Sequence, residues 1–242
     1  MFKEKLKAYW IIFRSVCATL YYCGSTVIFS YLGKLDRNKS DEISRRWSQA
    51  ILNIIQLKTE LKNPHQVSFS NDKPTIIMVN HASLYDIPIS FVTLPGSIRM
   101  LAKKELYKIP VFGQAMKKAE FLSINRFDRE QAIKDLIIAK EKMNSGIMVW
   151  MAPEGTRSKD GTLGPFKKGG FITAIQAGAT IIPVGIRGAT NILPKKTLQF
   201  KTHQTAEVHV GMPIDASQYS LQQRDELMEK VRKEMLKLMD QA

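Results

Sequence analysis

An asparagine, a histidine and an aspartate stand together in the stretch Asn80-His81-Ala82-Ser83-Leu84-Tyr85-Asp86. An imidazole beside a carboxylate makes a general base. The carboxylate fixes the tautomer and steadies the imidazolium, which leaves the other ring nitrogen to take a proton from a substrate hydroxyl. On one continuous helix His81 and Asp86 would point about 140° apart, so contact requires a turn between them or a helix starting near Asp86. Pro88 suits such a start. Ser83 is the nearest protein hydroxyl, but it lacks the G-x-S-x-G elbow of acyl-enzyme chemistry. Direct attack by an acceptor hydroxyl is therefore favoured.

A second set of residues suits phosphate. Arg126 and Arg157 offer planar forks that match phosphate oxygens, and Lys103 offers a point charge. In Ala152-Pro153-Glu154-Gly155-Thr156-Arg157, Gly155 permits a tight backbone and Thr156 adds a hydroxyl. Glu154 fits either an acceptor site or a structural ion pair with Arg157. Lys167-Lys168-Gly169-Gly170 would bring charge and backbone amides to the start of a helix. No Walker A or G-x-G-x-x-G pattern occurs, which disfavours a nucleoside phosphate or dinucleotide.

These residues need a scaffold, and from residue 73 onward the pattern supplies one. Short apolar runs at 75–79, 98–102, 120–124, 147–151, 180–186 and 206–210 read as strands. Helical periods separate several of them. In 128–145, Asp128 with Gln131 resembles a capping box, Ile133, Leu136, Ile137 and Met143 make one face, and Gly146 ends the helix. The run 171–177 stops at Gly178 in the same way, and 221–238 repeats the pattern with Leu221, Met228, Val231, Met235 and Leu238. Alternating strands and helices imply an α/β fold with a mostly parallel central sheet flanked by helices. Four of the strands run into Asn80-His81, Lys103-Lys104, Asn125-Arg126 and the 152–157 stretch. Carboxyl ends of parallel strands form the ligand crevice in such sheets, so the four sets are expected to converge.

The first 58 residues differ. Lys3, Lys5 and Lys7 precede an apolar stretch that Arg14 interrupts, and an uncharged run from 15 to 32 follows. Its length matches one bilayer span, while Ser15, Thr19, Ser25, Thr26 and Ser30 dilute it. Crossing the bilayer and lying in its interface both fit. No small-residue cleavage site follows. A helix over 40–57 comes next, with Ser40 as its expected N-cap and Ile43, Trp47, Ala50, Ile51 and Ile54 on one face. The division is a helical membrane-docking segment at 1–58, then an α/β domain at 59–242, with the polar stretch 58–73 as linker.

Composition narrows the partners. The chain has 242 residues, 44% of them hydrophobic, which is enough for one sizeable core. Its 36 Lys+Arg against 22 Asp+Glu give a net charge of +14, which favours polyanions or phosphate-bearing surfaces. Lys104, Lys108, Lys117 and Lys118 are candidates to meet anionic lipid or an acidic carrier protein. The two cysteines, Cys17 and Cys23, have neither disulfide-scaffold nor zinc spacing. Aromatic residues gather in the N-terminal apolar segment rather than among the basic clusters, so nucleic acid is not expected.

With these residues in view, the chain resembles the 1-acylglycerol-3-phosphate acyltransferases of the glycerolipid acyltransferase superfamily. Asn80, His81 and Asp86 match the family's N-H-x4-D motif. Its second motif is matched by 121–126, ending Ser123-Ile124-Asn125-Arg126. The third, F-P-E-G-T-R-S, is matched by 153–158, with Ala152 in place of the phenylalanine. The fourth is matched by the apolar run around Pro183. The resemblance covers about 75–190. It implies His81 as base with Asp86 as partner, Arg126, Arg157 and Lys103 on the acceptor phosphate, and Glu154, Gly155 and Thr156 in the acceptor loop. It also implies an acyl group moving from acyl-CoA or acyl carrier protein to the 2-hydroxyl of lysophosphatidic acid, with neither metal nor other cofactor. A two-helix membrane-docking unit and an anionic membrane surface, on the cytoplasmic face of the inner membrane, belong to the same expectation. Glycerol 3-phosphate, a lyso-aminolipid acceptor, or binding without catalysis are the alternatives.

Overall fold

The computed structural model describes residues 2–70, 72–125, 129–194 and 197–241. In chain order the elements are α1 (Phe2–Tyr31), α2 (Arg37–Ile54), β1 (Lys58–Lys62), β2 (Thr75–Val79), α3 (Asp86–Thr93), β3 (Ile98–Lys103), α4 (Phe112–Lys118) and β4 (Leu122–Ile124). They continue with α5 (Arg129–Asn144), β5 (Met148–Met151), α6 (Lys168–Ala177), β6 (Thr180–Arg187), α7 (Ala189–Ile192), β7 (Thr205–Val210), β8 (Ile214–Asp215) and α8 (Arg224–Leu238).

The sheet runs β1-β7-β6-β2-β5-β3-β4, with β8 added beside β6. From β6 to β4 every neighbouring pair is parallel, and β7 and β8 run antiparallel to β6. The fold is thus a mostly parallel sheet flanked by helices. Its central strands are apolar on both sides because both sides are covered. In β2, Ile77 and Val79 face one core with α2 and α3, while Ile76 and Met78 face the other with α5, α6 and α8.

Helix α1 passes the test of length and apolarity for a membrane span, with a mean hydropathy of 1.4 in its best window. One side of it nevertheless packs on the protein. Ala8, Ile11 and Thr26 are buried, Trp47 Nε1 donates to Thr19 Oγ1 at 3.1 Å, and Lys7 Nζ reaches Thr202 Oγ1 at 3.0 Å. The opposite side leaves Leu6, Tyr9, Trp10, Phe13, Leu20 and Ile28 exposed.

Several boundaries differ from expectation, each for a physical reason. Helix α2 starts a turn earlier than Ser40, because Asp36 is its N-cap and accepts the N–H of Lys39. Ser40 instead sits inside the helix, where its hydroxyl accepts from Arg99. The expected linker 58–73 opens with β1, an edge strand paired in parallel with β7. Its charges (Lys58, Glu60 and Lys62) hide it from hydropathy, and such charges are usual on an exposed edge. Strand β4 begins at Leu122 rather than 120, where Glu120 takes a positive φ of 62°. In α5 the buried side runs through Asp135, Ala139 and Met143, while Ile137 is 54% exposed. Leu221 likewise lies exposed before α8, whose buried stripe is Leu227, Val231 and Met235. Asp128, half of the expected capping box, lies outside the described residues, and of the Ile133 side chain nothing is described.

Candidate active site

Strands β2, β5, β3 and β4 are mutually parallel neighbours, so their carboxyl ends share one edge of the sheet. Met78 of β2 is in register with Met151 of β5, which sets the loop after Val79 directly beside the loop after Met151.

The loop after β2 turns sharply and α3 starts at Asp86. This is what brings the histidine and aspartate together. Nδ1 of His81 lies 2.8 Å from Oδ2 of Asp86, and that oxygen also accepts the backbone N–H groups of Ala82 at 2.7 Å and Ser83 at 2.8 Å. The Asp86 side chain is fully buried, whereas the imidazole is 17% exposed. Nε2 has no hydrogen-bond partner among the described residues. An imidazole anchored through one nitrogen and open at the other can accept a proton from a hydroxyl brought to it.

Neighbouring groups hold this pair from several sides. Asn80 acts as an extra rung of the sheet: its Oδ1 accepts the N–H of Ile186 at 2.7 Å and its Nδ2 donates to the Ile186 carbonyl at 3.0 Å. Trp150 of β5 stands edge-on to the His81 ring, centroids 6.0 Å apart. Its indole N–H donates to Ser90 Oγ at 2.9 Å, and Ser90 donates in turn to the carbonyl of Asp86 at 2.7 Å. Neither Trp150 nor Ser90 was picked out from the sequence. A tryptophan next to last in a strand, two residues before the 152–157 loop, was the available signal for the first.

The 152–158 loop grips the His81 backbone at both its polar atoms. Glu154 Oε1 accepts the His81 N–H at 3.0 Å, and the Ser158 N–H donates to the His81 carbonyl at 2.6 Å. Glu154 Oε2 accepts the Gly164 N–H at 2.9 Å. Burial pushes the Glu154 carboxyl above its ordinary range, although the Gly164 and His81 N–H groups pull it back in part. Gly155 has a φ of +72°, and a Cβ there would come 3.2 Å from Cγ of Lys167. Glycine is the residue that takes this conformation without strain.

The phosphate-binding candidates are placed less uniformly. Lys103 ends β3 on the same sheet edge and is exposed. Thr156 is exposed and Arg157 half-buried, both in the loop beside His81. Arg126 lies outside the described residues. Ser83 is fully buried and donates to the Leu193 carbonyl at 3.3 Å, which fits its exclusion as a nucleophile. The amino end of α6 follows this loop, and the Lys167 N–H donates to the carbonyl of Pro153 at 2.7 Å. Among α1, α2, α3 and α4 lies an apolar cavity whose walls include Tyr22, Trp47, Ile87, Phe91, Met100 and Phe121.

Comparison with known proteins agrees with this geometry. Residues 58–187 match the model of a family described as Acyltransferase. A 1-acyl-sn-glycerol-3-phosphate acyltransferase of Escherichia coli is 36% identical over 179 residues, covering 72% of this chain and 69% of that protein. A chloroplastic enzyme of the same name from Brassica napus is 34% identical over 152 residues, 63% of this chain. The match spans less than half of that plant protein, 44% of its length. In structure the chain resembles the crystallised 1-acyl-sn-glycerophosphate (LPA) acyltransferase PlsC of Thermotoga maritima, with a TM-score of 0.80 at 24% identity, covering 98% of this chain and 94% of that one. That likeness establishes the fold.

Proposed function

The chain belongs to the Acyltransferase family, and from that premise we propose that it transfers a fatty acyl group from a thioester donor to the 2-hydroxyl of lysophosphatidic acid, giving phosphatidic acid. The observation that carries this reading is the His81 imidazole, tied by Nδ1 to the buried Asp86 and open at Nε2. Nε2 takes the proton of the acceptor hydroxyl as its oxygen attacks the thioester carbonyl. Collapse of the tetrahedral intermediate expels the thiolate, which recovers the proton from the imidazolium. Asp86 steadies that imidazolium. Arg157 and Lys103, with Arg126, hold the acceptor phosphate, and Glu154 and Gly155 shape the loop that sets His81. The apolar cavity beside α3 suits part of the acyl chain. Acyl-CoA and acyl carrier protein both fit as donor.

The two-helix unit at 1–58 docks the α/β domain of 59–242 on an anionic membrane, at the cytoplasmic face of the inner membrane. Exposed apolar side chains along α1 support this, because such a continuous patch is rare on proteins that meet only water. Contacts near both ends of α1, Lys7 with Thr202 and Tyr31 beneath Lys118, favour a helix lying in the interface.

The test is acyl transfer from acyl carrier protein and from acyl-CoA onto lysophosphatidate in detergent, with His81→Ala as the comparison at matched folding. Product with the wild type and a loss of at least about a hundredfold in the variant is the expected result. Unchanged activity in the variant would overturn the mechanism. A folded wild type inactive with both donors would move the reading to another acceptor, such as glycerol 3-phosphate.

A further inference from the structure

We infer that Arg232 of α8 and Gln241 just beyond it are positioning residues, which hold the histidine of the proposed reaction in place through the loop at 161–164. Both lie past residue 187, where the family match ends. The inference rests on the function proposed above and assigns a role to a part of the chain that the motifs do not reach.

The linkage is a continuous chain of hydrogen bonds. Arg232 Nη1 donates to the Gly164 carbonyl at 2.7 Å and Nη2 to the Leu163 carbonyl at 3.0 Å. Gln241 takes the same loop from its other side, with Oε1 accepting the Leu163 N–H at 3.1 Å and Nε2 donating to the Gly161 carbonyl at 2.9 Å. The Leu163 carbonyl and the Gly164 N–H belong to one peptide unit. In a trans peptide these two groups point in opposite directions. Arg232 therefore holds one end of a rigid plane whose other end donates to Glu154 Oε2 at 2.9 Å. The second oxygen of Glu154 accepts the His81 N–H at 3.0 Å. A shift of the 163–164 peptide passes to Glu154 and then to the backbone that carries the imidazole.

Two features show that the linkage is built closely. A Cβ on Gly164 would fall 3.1 Å from Glu154 Oε2, so a larger residue there would push that oxygen by a few tenths of an ångström. The Arg232 guanidinium is itself fixed, stacked over Phe166 at 5.6 Å, and Phe166 stacks on the buried Phe171 at 5.7 Å. Segment 161–164 belongs to no helix or strand, so these side chains do what a ladder of backbone bonds would otherwise do.

The experiment measures kcat and KM for Arg232→Ala, Arg232→Lys and Gln241→Ala, with Lys233→Ala as control because Lys233 points to solvent on the same helix. The expected result is a fall in kcat of about tenfold for Arg232→Ala with acceptor KM within about twofold, since a small misplacement of the base costs rate rather than binding. Arg232→Lys should recover part of the loss, and Gln241→Ala, an exposed position, should lower kcat less without threatening the fold. In a Glu154→Gln background, Arg232→Ala should cost less than about twofold, because the path to His81 is already cut. Amide exchange at Gly164 should accelerate at least about tenfold in Arg232→Ala while β2 stays protected. Wild-type kcat together with unchanged exchange at Gly164 would overturn the inference, as would an equal loss in the Glu154→Gln background. If the wild type proves inactive, the proposed function fails while the exchange measurement still decides whether Arg232 holds this loop.

Discussion

Oδ2 of Asp86 accepts Nδ1 of His81 at 2.8 Å and two backbone N–H groups as well, while its Oδ1 is buried without a hydrogen-bond partner among the described residues. Three donors converge on one oxygen, and this decides what an amide would do there. In Asp86→Asn the carbonyl oxygen is held at the Oδ2 position, because the amide nitrogen would face donors. The nitrogen then occupies the dry Oδ1 position, at a cost of about 1–3 kcal/mol in stability. The His81 tautomer survives and only the charge that steadies the imidazolium is lost. The expected outcome is a fall in kcat of about 10 to 10²-fold for Asp86→Asn, and a fall matching that of His81→Ala for Asp86→Ala, where ring and turn are both released. Equal losses in the two Asp86 variants, at matched folding, would show that charge is not the separable part.

Arg99 is fully buried in β3, where its guanidinium pairs with Asp41 of α2 and donates to Ser40 Oγ at 3.2 Å and to the Ala119 carbonyl. Removing one member of a buried pair leaves an uncompensated charge. Asp41→Ala is therefore expected to destabilise by about 3–5 kcal/mol, read as a lower urea midpoint. The double variant Asp41→Leu with Arg99→Met should regain most of the loss, since apolar pairs of similar volume replace such ions at little cost. A double variant as unstable as the single one would mean that shape, rather than charge, is what α2 and β3 share.

Glu120, in the turn between α4 and β4, ties two helices together, pairing with Arg37 of α2 at 3.1 Å and Lys142 of α5 at 2.8 Å. Burial pushes its carboxyl up, but hydrogen bonds and charge from Arg37 and Lys142 outweigh it and bring the pKa down to about 2 from 4.5. A folded pKa below the unfolded one gives stability that is present above 4.5 and lost as pH falls toward 2. Because the site is part-exposed, solvent screening leaves about 1 kcal/mol of it. Between those two pH values the wild type should lose that much more than Glu120→Gln in denaturant titrations. Parallel pH curves for the two proteins would remove Glu120 as a tether.

What could be read from the sequence follows how local each interaction is. His81 and Asp86 are five positions apart, and the apolar runs of β2, β5 and β6 are continuous, so pair and sheet were both visible. The Glu154 bond to His81 spans 73 positions, so its carboxylate could not be assigned between acceptor site and structural tie. Arg99 drew no reading from the sequence, because Asp41, its partner, lies 58 positions away. In α5, Ile137 and Ile138 are exposed while Ala139 is buried, an arrangement in which size misleads a reading by hydrophobicity. The division into 1–58 and 59–242 followed composition, and composition also hid β1, whose charged residues suit a sheet edge.

Helix α1 presents two apolar sides, and they call for different partners. Ala8, Ile11 and Thr26 face the protein, while Leu6, Tyr9, Trp10, Phe13 and Ile28 are each more than half exposed. At 100° per residue these exposed positions fall within an arc of about 100°, so they form one stripe. A helix lying in the interface buries that stripe at a single depth. One crossing the bilayer would instead have to leave the domain it packs against. Leu6 and Ile28 are 22 positions apart, about 33 Å along the axis, which is close to the thickness of the hydrocarbon core. Nitroxides at Leu6→Cys and Ile28→Cys, in a chain whose Cys17 and Cys23 are replaced, should therefore report the same shallow depth in anionic vesicles. Trp10→Glu with Phe13→Glu should weaken vesicle binding at least about tenfold and leave the fold intact, because neither side chain contributes to the core. Two labels at opposite faces of the bilayer would show instead that α1 crosses it.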